Sequence, residues 1–187
     1  MQIDPSALSL EEYRALRATI RERGTMRLVV SVITFVAWAA LALGWSSVPV
    51  FGLFPLLVLA GGFEVVFATH VGVERIGRYL QVHYEAADGL PGWEHRAMEI
   101  GGRAGAGSGI DPLFSSVFVI ATLLNLIPVG LMSADEGPLL AGHVPLELAV
   151  FGMLHLVFIG RIFQARRFAA GQRARDLALF QRSGTGH

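Results

Sequence analysis

LVVSVITFVAWAALALGW, residues 28–45, holds eighteen positions without a charged side chain, and its reading decides the fold. A hydrocarbon core about 30 Å thick takes roughly 20 apolar residues in a helix. Lipid offers backbone N–H and C=O groups no water, so a run this long satisfies them internally as a helix. Three further runs resemble it. Val48 to Thr69 is apolar apart from Glu64. Leu113 to Met132 carries Asn125 as its only strongly polar side chain. The last, from Leu139 or Val144 to Phe163, contains Glu147, His155 and Arg161.

The rest of the composition agrees. Of 187 residues, 53% are hydrophobic and only 16% charged, against about 25% charged in soluble domains. Fifteen basic residues, all arginine, balance fifteen acidic ones. Zero net charge argues against a nucleic-acid partner. The absence of cysteine and lysine excludes disulfides, thiolate metal sites, a cysteine nucleophile, a Schiff-base lysine and a Walker-type phosphate loop.

Arginine placement orients the runs. Arg14, Arg17, Arg21, Arg23 and Arg27 precede the first. Arg75, Arg78, Arg96 and Arg103 separate the second from the third. Arg161, Arg166, Arg167, Arg173, Arg175 and Arg182 end and follow the fourth. The positive-inside rule then places both termini and the central loop in the cytoplasm. Residues 1–24 are too polar for a signal peptide, so the first span is expected to stay as an anchor. The expectation is an all-α integral membrane protein of a bacterial inner membrane. It has four transmembrane helices in two tandem hairpins, 28–81 and 113–164. An N-terminal amphipathic helix (1–27), a cytoplasmic loop (82–112) and a basic C-terminal helix and tail (165–187) complete it.

Ser9 and Glu12 form a capping-box pattern, with Leu8 and Tyr13 as its staple. Leu10, Tyr13, Leu16 and Ile20 make one stripe, and Gly24 is expected to stop the helix. That helix either lies on the membrane surface or docks a partner. A short helix is expected near Trp93, and five glycines within 101–109 read as a linker. Pro112 suits the first turn of the third span. The fourth helix is expected to run on to about Phe180, with Arg161, Arg166 and Arg167 toward anionic headgroups. Residues 183–187 read as disordered.

Shifted by 83 positions, the chain matches itself. Pro55-Leu56-Leu57 falls on Pro138-Leu139-Leu140, Glu64 on Glu147, Ile76-Gly77-Arg78 on Ile159-Gly160-Arg161 and Gln81 on Gln164. The reading is a parallel tandem repeat; chance among common residues is the alternative. A duplication would set Glu64 and Glu147 at one depth.

Two sets of residues can carry chemistry. Glu64 and Glu147 are carboxylates in apolar runs, with Asn125 and His155 as further intramembrane polar groups. Such groups face protein or water and are often functional. The structural alternative gives Glu64 a hydrogen bond to Asn125, Thr34 or Thr122, and puts Glu147 in the first turn of its helix near the outer headgroups. The second set is His70 with Glu74 and His95 with Glu99, each four apart, a spacing that can ligate a metal. His70 and His155 could in principle sandwich a haem, but two histidines alone are not a haem signature. Solvated side-chain pairs are the plainer account. The sequence itself assigns no cofactor and no catalytic set.

Three function classes follow, in this order. The first is a non-catalytic subunit or anchor of a larger membrane complex. Its partners are the lipid bilayer and either other membrane chains or further copies of itself. The second is a small channel, transporter or membrane effector using Glu64 and Glu147. The third is a metal- or haem-dependent membrane enzyme.

Overall fold

The computed structural model describes the backbone of residues 5–44, 52–85, 92–93, 96, 112–135 and 146–184. Within these, side chains are described except at 5–8, 44, 85, 112–113, 127–135, 147–148 and 183–184. Every long element among them is a helix. They are α1 (Pro5–Gly44), α2 (Leu53–Leu80) with a π-helical turn (Gln81–Glu85) after it, α3 (Pro112–Asp135) and α4 (Leu146–Gly184). Three stretches are long and apolar enough to cross a membrane: Ser9–Leu43, Leu53–Tyr84 and Ala149–Arg182. The 24-residue α3 rises about 36 Å, and its described apolar stretch is Phe114–Leu126. Among the described residues the chain is all-helical, with several helices long and apolar enough for an integral membrane protein.

The helices divide into two compact units. One comprises Met1–Leu28, Phe67–Ile110 and Arg166–His187; the other, Val29–Val66 and Asp111–Ala165. Fourteen of the fifteen arginines fall in the first, so we call it the arginine unit, and only Arg161 falls in the second, the apolar unit. Thus all three arginine-bearing stretches gather in one body.

In the apolar unit, aromatic rings make the core. Phe63 lies 5.3 Å from Phe118 and 5.9 Å from Phe158, and Phe35 4.9 Å from Phe118. Phe35 meets Phe118 and Trp38 meets Asn125, so α1 and α3 run parallel. Phe63 meets Phe118 while Gly52 meets Asn125, so α2 runs antiparallel to α3. Unlike a water-soluble bundle, the unit is apolar outside as well as within. Val32, Ile33, Val36, Leu57, Ile120, Leu156 and Val157 point outward, while Thr34, Ser115, Thr122, Asn125 and His155 are buried. A contiguous apolar exterior is costly in water and comfortable in lipid.

In the arginine unit, α1 and α2 are antiparallel and α2 and α4 parallel. Arg27 reaches His70 and Glu12 reaches Tyr79, while Phe67 meets Phe168 and Tyr79 meets Phe180. Along α4 the buried positions are Phe151, His155, Phe158, Ile162, Ala165, Ala169, Gln172 and Asp176. Their alternating four- and three-residue steps trace a seam of period 3.5, as in coiled coils.

The structure corrects several expectations. Gly24 does not stop a helix: α1 is continuous from Pro5 to Gly44. A glycine inside a helix costs only about 1 kcal/mol, and contacts bind α1 on both sides of it, through Glu12 and Arg27. The N-terminal stretch is therefore continuous in one helix with the first apolar run. Ser9 is not the N-cap, since the helix starts at Pro5, where proline is favoured. Tyr13, Leu16 and Ile20 are half-buried, but Leu10 is exposed. Ser183 and Gly184 belong to α4. Other expectations are met. The start of α3 at Pro112 and the run of α4 past Phe180 appear as read. Arg96 N–H donates to the Gly92 carbonyl at 3.1 Å, one helical turn beside Trp93. Residues 101–109 lie outside the described residues.

Candidate functional site

Asn125 is the polar centre of the apolar unit. Its Nδ2 donates to the Gly52 carbonyl at 2.9 Å and lies 3.0 Å from His155 Nε2. Its Oδ1 accepts from Trp38 Nε1 at 3.3 Å. His155 Nδ1 is 2.8 Å from the Phe151 carbonyl. A carbonyl only accepts, so Nδ1 carries the proton and Nε2 accepts from the amide. The set is neutral and mutually satisfied, and both His155 ring nitrogens are engaged. Each bond answers a group whose burial without a partner would cost about 1–3 kcal/mol.

Glu64 finds a cation. Arg161 Nη2 donates to its Oε2 at 2.8 Å, joining α2 to α4. The pair is not sealed inside: the Glu64 side chain is 46% exposed and that of Arg161 34%. The described partner is therefore Arg161, while the described bonds of Asn125 and Thr122 go elsewhere. Glu147 is the second residue of α4, and its side chain lies outside the described residues. Its backbone is fourteen positions from Arg161, about 21 Å along the helix axis. Glu64 is level with Arg161, so the two glutamates do not share a depth. In the apolar unit α2 meets α4 at separations of 95 residues (Phe63–Phe158) and 97 residues (Glu64–Arg161).

The arginine unit buries charge. Arg78, 3% exposed, donates through Nε and Nη2 to Asp176 Oδ2 at 3.2 and 3.0 Å, and through Nη1 to Glu74 at 3.3 Å. Asp176 is 7% exposed and has Arg75 Nε at 3.6 Å as well. Beside them Gln172 is buried, with neither amide atom bonded within the protein. It helps to line a cleft of about 10 Å³ with His70, Glu74, Arg78 and Arg173. That volume holds about one water, not a substrate.

Of the metal-spaced pairs, His70 and Glu74 are described, and each bonds an arginine. Glu74 bonds Arg78, and His70 Nδ1 lies 3.2 Å from Arg27 Nη1, whose N–H donates to it. His95 and Glu99 lie outside the described residues. Among the described residues no three His, Asp or Glu side chains are grouped to hold a metal. Of the arginines assigned to headgroups, Arg161 faces Glu64, Arg166 is half-buried and Arg167 exposed.

A third cluster was not read from the sequence. Glu12 accepts from Tyr79 at 3.0 Å and from Tyr84 at 2.7 Å, and Tyr13 packs on Tyr84 with ring centroids 5.5 Å apart. All three tyrosines of the chain converge here. No local spacing announces it, because its members come from α1 and the end of α2. Asp176 did leave a signal: extending the four-three seam of α4 reaches it.

No family model, no curated protein and no solved structure matches the chain. The assignment therefore rests on the chain's own chemistry, that of an all-helical protein with several apolar helices long enough to cross a membrane.

Proposed function

We propose that this chain is a non-catalytic, multi-pass protein of a bacterial inner membrane, a subunit or anchor of a larger membrane complex. In this reading all four helices cross the bilayer. The arginine unit lies in the cytoplasm with both termini, and the loop around Glu136 lies outside. The observation that carries it is how the chain uses its buried polar groups. Asn125, His155, Trp38 and Gly52 satisfy one another, and Arg78 is spent on Asp176 and Glu74. Those bonds hold helices together, and what they leave presented are long outer faces. Mild solubilisation of the full chain, followed by mass measurement of the intact particle, tests this. A particle of fixed stoichiometry with more than one chain supports the reading. A lone chain that keeps its helices and carries ion flux in liposomes overturns it.

A second reading, a small ion pathway, is favoured by one feature: the Glu64 carboxylate is half-exposed. It requires flux in liposomes that Glu64→Gln abolishes.

A further inference from the structure

The Glu64–Arg161 pair sits in an unusual place. Charged side chains in membrane helices face the bundle interior or a water-filled cavity, yet this pair lies on the outer surface of α2 and α4. Exposed apolar side chains flank it along both helices. Leu57 and Val157 lie before it on the two helices, and the arginine unit begins three residues after Glu64, at Phe67, and five after Arg161, at Arg166. The pair therefore stands near the end of the apolar segments of α2 and α4.

Its geometry says what fits over it. In the apolar unit, Phe63 and Glu64 meet Phe158 and Arg161 in the same order, so α2 and α4 run side by side. The two charges accordingly stand at one level along these helices, acid on one and base on the other. A two-fold rotation about an axis parallel to the helices preserves that level and exchanges left for right. It brings a second Arg161 in front of Glu64 and a second Glu64 in front of Arg161. The face is thus complementary to itself, as a two-fold interface must be. It is also thin where the charges are. Gly61, one turn before Glu64, and Gly160, next to Arg161, are exposed, and open space surrounds each Cα. Small residues at such positions let helices of a neighbour approach closely.

We propose that the α2–α4 face of the apolar unit is the dimer interface of this chain, and that its occupant is a second copy. Two Glu64–Arg161 pairs then close into a ring of four charges shielded from lipid, with α2 of each copy against α4 of the other. This deepens the subunit reading and rests on it, naming the first partner in the assembly.

The chain has no cysteine, so introduced thiols report without background. Two differently tagged full-length copies are co-expressed, one carrying Gly61→Cys and the other Val157→Cys, and the membranes are oxidised. A mixed disulfide is expected, and Ile33→Cys on the α1 face, combined with either, should give none. Glu64→Arg in both copies, or Arg161→Glu in both, should lower the linked fraction about tenfold, the low end of coupling between close interfacial charges. Placing Glu64→Arg in one copy and Arg161→Glu in the other should restore it, because one face is then wholly basic and the other wholly acidic. A purely intramolecular pair is not repaired by that mixture. Linkage through Ile33→Cys in place of the Gly61–Val157 pair overturns the proposal, as does failure of the mixed reversal to restore it. If no mixed disulfide forms but the chain is recovered with a different protein at fixed ratio, the second copy is wrong and the subunit reading stands. A chain both unlinked and alone contradicts both.

Discussion

The two units solve one problem, tying helices together through polar atoms, in opposite ways. The arginine unit uses formal charge: Arg78 and Asp176 are both buried and reinforced by Glu74 and Arg75. The apolar unit uses a neutral amide, a neutral imidazole and an indole around Asn125. On the proposed placement, the arginine unit near water and the apolar unit in lipid, the difference follows from what the unfolded alternative meets. Near water, an ion pair loses hydration on burial and recovers it only through tight pairing. In lipid, helices stay formed and polar groups find other partners, so each hydrogen bond contributes little. One chain therefore carries strong, brittle joints in one unit and weak, forgiving ones in the other.

That contrast sets the order of mutational effects. The largest is expected at Arg78. Arg78→Met leaves the Asp176 carboxylate buried beside Arg75 alone, and should cost about 3–5 kcal/mol. A denaturant titration following protease resistance of the α4 tail measures it. Adding Asp176→Leu should recover most of the loss, since an apolar pair of similar volume is often neutral. If Arg78→Met proves silent, the charged joint does not hold the arginine unit.

The next effect is steric. A Cβ on Gly62 would land on the Thr34 side chain, which is buried. Gly62→Ala should cost about 1–3 kcal/mol by overpacking, and Thr34→Gly, which removes the three atoms nearest the new Cβ, should relieve it. Its neighbour Gly61 meets open space, so Gly61→Ala should leave the stability of a single chain equal or slightly higher. Equal costs at the two glycines would break the packing of α1 on α2. Thermal unfolding in bicelles reads both.

The smallest is at Asn125. Asn125→Leu removes three bonds at once, yet intramembrane hydrogen bonds average about 0.6 kcal/mol and reach about 1.7. The loss should stay within a few such units and below that at Arg78. Tryptophan emission should shift as Trp38 loses its acceptor. A loss at Asn125 exceeding that at Arg78 would reverse the comparison.

Much of the fold was legible because apolar length and arginine placement are local signals. Leu28–Trp45 lies within the sequence of α1 and its flank, Leu113–Met132 lies within α3, and α4 runs past Arg161 as expected. The end at Gly24 misled because glycine is a weak breaker when contacts hold both sides. The sites were legible only as residue types. Periodicity says that Glu64 is awkward in an apolar run; it does not say that its partner lies 97 residues away on α4. The same is true of Asn125 with His155 and of Glu12 with Tyr79 and Tyr84. Pairings between helices depend on their rotation and register, and neither is written in any single helix.

The proposed function is tested most directly through its topology, with both termini and the central loop in the cytoplasm and the loop around Glu136 outside. Because the chain has no cysteine, single thiols at Ala18, Gly105, Leu179 and Glu136 can be probed one at a time with a membrane-impermeant reagent on intact cells. The account predicts labelling of Glu136→Cys from outside, and labelling of Ala18→Cys, Gly105→Cys and Leu179→Cys only after permeabilisation. A shielded Glu136→Cys, or any of the other three labelled from outside, would contradict it.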